Sequence, residues 1–184
     1  MDVAQPEQPL TDGVVLVRQW EDSDASAIVS AIDGDPEISV WLELIPQPYT
    51  VHEARTWIAL AASMWRERTG SPFAVVVGEE VIGGVGINWI DRDEAVGDIG
   101  YWLRKDARGR GYTTRAVRLA SEWAFSVGCE RLQLRADAEN VASLRVAERA
   151  GFTREGIQRS ARYNPRLGRR MNFVVFSLLP GELS

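Results

Sequence analysis

Arg108-Gly109-Arg110-Gly111-Tyr112-Thr113 sets two glycines and two arginines between a strand-like run, Val96 to Leu103, and a helix-like run, Thr114 to Val127. Glycine permits a positive-φ turn and lets a ligand approach the backbone closely. The start of the following helix offers unpaired N–H groups and a partial positive charge. Arg108 and Arg110 add full charges beside it. The ligand expected at such a turn is a phosphate, and the competing reading is a plain strand-to-helix connector. No G-x-x-x-x-G-K-[ST] occurs, and the glycine spacing does not fit G-x-G-x-x-G, so neither a P-loop nor a dinucleotide fingerprint is implied.

The remaining reactive side chains are few. His52 is the single histidine and falls in the first turn of an expected helix, where a surface residue is the default reading and a catalyst the alternative. Cys129 is the single cysteine. It cannot form an internal disulfide, has no histidine near it in sequence, and reads as a buried structural thiol in a reducing compartment. No metal-ligand set is apparent.

The elements that must position these groups follow from periodicity. Residues 1–12 read as a flexible lead-in, and residues 13–180 as one domain. Val14 to Arg18 is a short strand, and a helix begins at Asp22 or Ser23 with Ala27, Ile28, Ala31 and Ile32 at helical spacing. Gly34 to Pro48 reads as a loop with about one helical turn. Thr50 and Glu53 form a capping box that starts a helix reaching Arg68. Phe73 to Val77, Val81 to Trp89 and Val96 to Leu103, separated by short turn-rich gaps, predict an antiparallel meander. Then come the helix from Thr114, a strand over Arg131 to Ala136, a helix over Val141 to Ala150 closed by Gly151, and strands near Thr153 to Ser160 and Met171 to Leu179. The fold class is α+β, a mixed and mostly antiparallel central sheet with helices on both faces.

Composition agrees with a single globular domain: 184 residues, 45% hydrophobic and 26% charged. The net charge of −5 argues against a general nucleic-acid binder. No apolar run reaches membrane-spanning length and no leader opens the chain, so no membrane partner and a cytoplasmic location are expected. Charge is uneven, with Arg145, Arg149, Arg154, Arg159, Arg162, Arg166, Arg169 and Arg170 crowding the last third and Glu21, Asp22, Asp24, Asp33, Asp35, Glu37 and Glu43 the first. A solvated surface explains both. The functional alternative is attraction of phosphates by the basic part and of a cationic amine by the acidic part.

The order of motifs resembles the GNAT acyltransferase superfamily: Gly100-Tyr101-Trp102-Leu103, then Arg108 to Tyr112, then Asn140-Val-Ala-Ser143 and Ala150-Gly151-Phe152. Its signature [QR]-x-x-G-x-[GA] is met by Arg108 and Gly111, with Thr113 in the last position. Val14 to Arg18, Pro48-Tyr49-Thr50, Glu53-Ala54 and Trp57-Ile58 resemble the branch of ribosomal-protein alanine N-acetyltransferases, RimJ and RimL. The resemblance spans residues 14 to 179.

It implies a sheet splayed at an acetyl-CoA site, with acetyl-CoA as co-substrate. The pyrophosphate would lie on the turn Arg108, Gly109, Arg110, Gly111, Tyr112, Thr113 and Thr114. The pantetheine arm would pair with the backbone of the strand Tyr101-Trp102-Leu103-Arg104. Asn140 would contact that arm, or serve only as a helix cap. Many members carry a tyrosine four residues before the Gly-Phe pair, where this chain has Ala147, so the role at the leaving sulfur passes to Ser143. A glutamate expected just before Tyr163 is replaced by Arg162, which leaves Asp98 as candidate base, with a solvated strand residue or a water relay as alternatives. Trp41 and Tyr49 would wall the acceptor cleft or, like Trp57, Trp65 and Trp89, fill core. The implied activity is acetylation of a primary amine, on a protein N-terminus or a small molecule. A non-catalytic CoA-binding domain is the competing reading. Monomer and homodimer both stay open, as does an acyl group longer than acetyl.

Overall fold

The computed structural model describes residues 5–42 and 45–183. Eight strands form one sheet: β1 (Leu10–Thr11), β2 (Leu16–Arg18), β3 (Ser71–Val77), β4 (Glu80–Asp91), β5 (Val96–Leu103), β6 (Arg131–Asp137), β7 (Thr153–Asn164) and β8 (Arg169–Leu178). Their order is β1-β2-β3-β4-β5-β6-β8-β7. Five helices accompany them: α1 (Ala25–Asp33), α2 (Pro36–Trp41), α3 (Val51–Glu67), α4 (Tyr112–Ser126) and α5 (Val141–Ala150).

The meander forms where apolar runs meet turn residues. Gly78 takes φ 61° between β3 and β4, and the Asp91 carboxylate accepts from the Asp93 and Glu94 amides to close the β4–β5 turn. Every pairing is antiparallel except β5 with β6. That parallel pair joins Val96–Asp98 to Arg131–Gln133 and goes no further, although β5 continues beside β4 as far as Leu103. The sheet forks there, which is the expected splay.

The helices start and stop where their caps dictate. Thr50 and Glu53 make the capping box of α3. Asn140 Oδ1 accepts from Ser143 N at 3.1 Å to start α5, and Gly151 ends it with φ 101°. On α4, the four-residue spacing of the buried Ala116, Ala120 and Ala124 keeps a small-residue face against the sheet. On that side Trp65, Phe73 and Trp123 meet edge to face, with ring centroids 5.0–5.3 Å apart. A second cluster gathers Ile28, Ile32, Ile38, Tyr49, Ala54 and Ile58, with Trp20 and Trp102 packed against it.

Three elements differ from expectation. Leu10–Thr11, assigned above to the lead-in, pairs with Leu16 and Val17, and Asp12 holds the intervening turn by accepting from the Val14 and Val15 amides. The Gly34–Pro48 segment contains a true helix, α2, because Asp35 caps it and Pro36 supplies the first helical φ; Glu43 and Leu44 of that segment lie outside the described residues. Trp89 is not core: it is 50% exposed, beside a register irregularity in β4.

Candidate active site

A cavity of about 260 Å³ lies at the fork between β5 and β6. Its walls include Asp98 and Tyr101 from β5, Arg135 from β6, Asn140 and Ser143 from α5, and Trp41 and Leu42 at the end of α2. Residues far apart in sequence thus meet at the point where the sheet opens.

Beyond the end of β5 lies the glycine–arginine turn. Gly109 and Gly111 take φ 77° and 79°, and a Cβ added at either would meet nothing within 4 Å. Helix α4 has no side-chain cap. Its first backbone bond runs from Arg115 N to Gly111 O, so the amides of Tyr112, Thr113 and Thr114 precede the ladder and point out of the helix end. These donors, with the positive end of a 15-residue helix behind them, suit a phosphate.

The arginines of the turn divide. Arg110 is exposed. Arg108 turns inward: its Nε donates to Leu103 O at 3.1 Å, its Nη1 to Glu37 at 2.9 Å and its Nη2 to Asp35. Its charge is matched by two carboxylates of the α2 entrance. Arg104 pairs with Glu80 and Asp106.

The β5 edge follows from register. Arg104 N donates to Ile82 O, so Arg104 and Trp102 hydrogen-bond to β4, while the N–H and C=O of Tyr101 and Leu103 point to the edge β6 has left. The Trp102 side chain stacks on Trp20 at 6.2 Å, and the Leu103 side chain is buried. Any contact of Leu103 with a ligand at that edge is through its backbone.

Across the fork, Tyr101 Oη lies 2.9 Å from Ser143 Oγ and donates to Ser143 O, also at 2.9 Å. Burial pushes the Tyr101 phenol up to about 12, against a smaller lowering by its bond to Ser143. It therefore stays protonated and remains a donor throughout the physiological range. The sequence reading took Tyr101 only as strand backbone. Ala147, where a family tyrosine would stand, is fully buried in the core; the phenol beside Ser143 comes from β5 instead.

Asp98 shares the cavity. Its Oδ2 accepts from Gln133 at 3.3 Å and from Arg135 Nε and Nη2 at 3.2 and 3.1 Å. Burial raises its carboxyl above the ordinary range, against the lowering effects of Arg135, Gln133 and Arg162. A carboxylate so raised is a better proton acceptor than an exposed one. Arg162, Asn88 and Asp137 also border the cavity.

His52 is exposed on the first turn of α3 and does not border the cavity. Cys129 is buried, with its thiol donating to the Ala95 and Arg131 carbonyls and pushed up by burial. Trp41 lies on the cavity wall, whereas Tyr49 packs in the second core cluster. Among the described residues no cluster of His, Cys, Asp or Glu could hold a metal, and no helix is long and apolar enough to cross a membrane.

The family described as "Acetyltransferase (GNAT) domain" matches residues 15–153. The chain belongs to the GNAT acetyltransferases. It is 30% identical over 172 residues to the uncharacterized N-acetyltransferase p20 of Bacillus licheniformis, covering 91% of this chain and 94% of that one. The putative ribosomal N-acetyltransferase YdaF of Bacillus subtilis is 26% identical, over 91% of this chain and 92% of its own. Among solved structures, Mycobacterium smegmatis RimJ in complex with CoA-disulfide superposes with a TM-score of 0.85 at 21% identity, covering 96% of this chain and 88% of that one, a likeness of fold. This GNAT chain is an N-acetyltransferase with acetyl-CoA as co-substrate. The uncapped α4 end presents backbone donors suited to an anion, and β5 an unpaired edge beyond the fork.

Proposed function

We propose that this chain acetylates a primary α-amine at a protein N-terminus, inside the cavity where β5 parts from β6. The observation that carries the reading is the contact between the Tyr101 and Ser143 hydroxyls at the fork. Acetyl-CoA supplies an activated acyl carbon and a thiolate leaving group. The amides of residues 109–114 hold its pyrophosphate. The backbone edges of Tyr101 and Leu103, with Asn140, hold its pantetheine arm.

The other roles belong to side chains of the cavity. Tyr101 and Ser143 together present a hydroxyl proton to the departing sulfur, which stabilises negative charge where it develops. Asp98, raised by burial and held through Oδ2 by Gln133 and Arg135, accepts the proton of the attacking amine. An α-amine with a pKa of about 8 is already neutral in part near pH 7, so the demand on that base is modest. The name of YdaF as a putative ribosomal N-acetyltransferase supports a protein acceptor.

Peptides that differ only at the N-terminus test the acceptor. Those with a free α-amine should become acetylated with release of CoA thiol. The same peptides blocked at the N-terminus but retaining a lysine should not. Equal acetylation of the blocked, lysine-bearing peptides would refute the α-amine assignment.

A further inference from the structure

Six residues make a helix too short to persist on its own, since isolated helices below about 12–15 residues are marginal in water. Yet α2 carries Trp41, followed by Leu42, and both line the same cavity as the Tyr101–Ser143 pair. Something other than helix propensity must hold it. At its N-terminal end the Asp35 side chain caps Glu37 N at 3.1 Å, and Arg108 grips both Asp35 and Glu37. At its C-terminal end the grip comes from the turn joining β7 to β8. Arg166 donates to the Ser39 and Ile45 carbonyls and, at 3.4 Å, to Leu42 O.

Asn164 completes that end. It is fully buried, its Nδ2 donates to Val40 O at 2.8 Å, and its Oδ1 accepts from Arg166 N and Leu167 N at 2.9 and 3.1 Å. One buried amide thus fixes the turn that carries Arg166 and also touches α2. A guanidinium at the carbonyl end of a helix matches its partial negative charge. More than 120 residues separate these partners in sequence.

We propose that α2 is a strut clamped at both ends, and that Arg166 with Asn164 are positioning residues that set the acceptor wall formed by Trp41 and Leu42. This rests on the reading that the fork cavity receives the amine. These hydrogen bonds of Arg166 and Asn164 go to α2, its following loop and their own turn, so their first effect falls on the acceptor wall.

Arg166→Ala and Arg166→Lys test the clamp by steady-state kinetics, CoA calorimetry and amide hydrogen exchange. Arg166→Ala should raise the acceptor KM by about ten- to a hundredfold, a 1 Å misplacement of a positioning group costing up to about a hundredfold. The acetyl-CoA KM and the CoA Kd should stay unchanged. Arg166→Lys, which keeps one charged donor, should recover part of the loss. Amides of residues 39–42 should exchange faster in the alanine variant while those of α4 and β6 do not. Unchanged exchange over residues 39–42, or equal rises in both KM values, would overturn the proposal. If the wild-type chain acetylates no amine at all, the acceptor reading fails, and the exchange data still decide whether Arg166 clamps α2.

Discussion

Tyr101→Phe removes one oxygen and leaves the ring. In the folded chain that oxygen makes two contacts of 2.9 Å, one to Ser143 Oγ and one to Ser143 O. Losing them costs about 1 kcal/mol of stability each at most, because the phenylalanine ring still fills its site. The catalytic cost is separable. The phenol, pushed up to about 12 by burial, stays protonated across the physiological range. Its one proton is shared between Ser143 O and Ser143 Oγ, and when given to Oγ it leaves the Ser143 proton to face the sulfur. If the pair acts as a unit on the leaving sulfur, Tyr101→Phe should lower kcat by about ten- to a hundredfold, roughly 1.4–2.7 kcal/mol. Ser143→Ala should do the same, with the acetyl-CoA KM nearly unchanged in both. The double variant should then be little worse than either single, since residues acting together are not additive. Thiol release at saturating acetyl-CoA and acceptor reads all three. A wild-type turnover number in Tyr101→Phe, or full additivity in the double variant, would refute the paired role.

Other perturbations address other parts of the site. Asp98→Asn should depress kcat and remove the acidic limb of the pH–rate profile; a limb that persists at the pKa of the acceptor amine would refute Asp98 as base. Burial raises the Asp98 pKa above its unfolded value, so its contribution to stability is present at low pH and is lost as pH rises through the folded pKa. The Tm difference between Asp98→Asn and wild type should therefore shift in favour of the variant from acid to neutral pH, and a shift of opposite sign would refute the assignment of burial as its cause. Asp24 behaves conversely: burial opposes its ionisation, yet its bonds to Arg18 and the Glu21 amide leave it below the ordinary range. Its stabilisation should be lost as pH falls through that lowered pKa, and Asp24→Asn should flatten the acid limb of thermal stability; an unchanged limb would refute it. Gly111→Val places a side chain into open space at a φ of 79°. It should abolish CoA binding by calorimetry while circular dichroism still reports a folded chain; full affinity in a folded variant would remove the turn from the phosphate site.

The sequence exposed those parts of the fold whose signals are local. The capping box at Thr50, the stop at Gly151, the meander and the glycine turn depend on residues within a few positions of one another. The α2 helix was legible too, in Asp35-Pro36-Glu37, but a loop rich in prolines masked that start signal. What was not legible depends on distance. Nothing near Arg108 in sequence says that its guanidinium meets Asp35, 73 residues away, so its charge was expected on a phosphate. Nothing near Ser143 announces the Tyr101 phenol from a strand 42 residues earlier. Alternation would have helped at one point: neighbours on a strand point their backbone groups to opposite edges, so the residues named for the pantetheine arm cannot all face it.

Mass spectrometry of an acceptor peptide incubated with the chain and acetyl-CoA tests the central claim most directly. The account predicts an acetylated product with the group on the α-amine, matched by stoichiometric release of CoA thiol and absent without the chain. Tight CoA binding with neither product nor thiol release, across peptides and small amines alike, would contradict it.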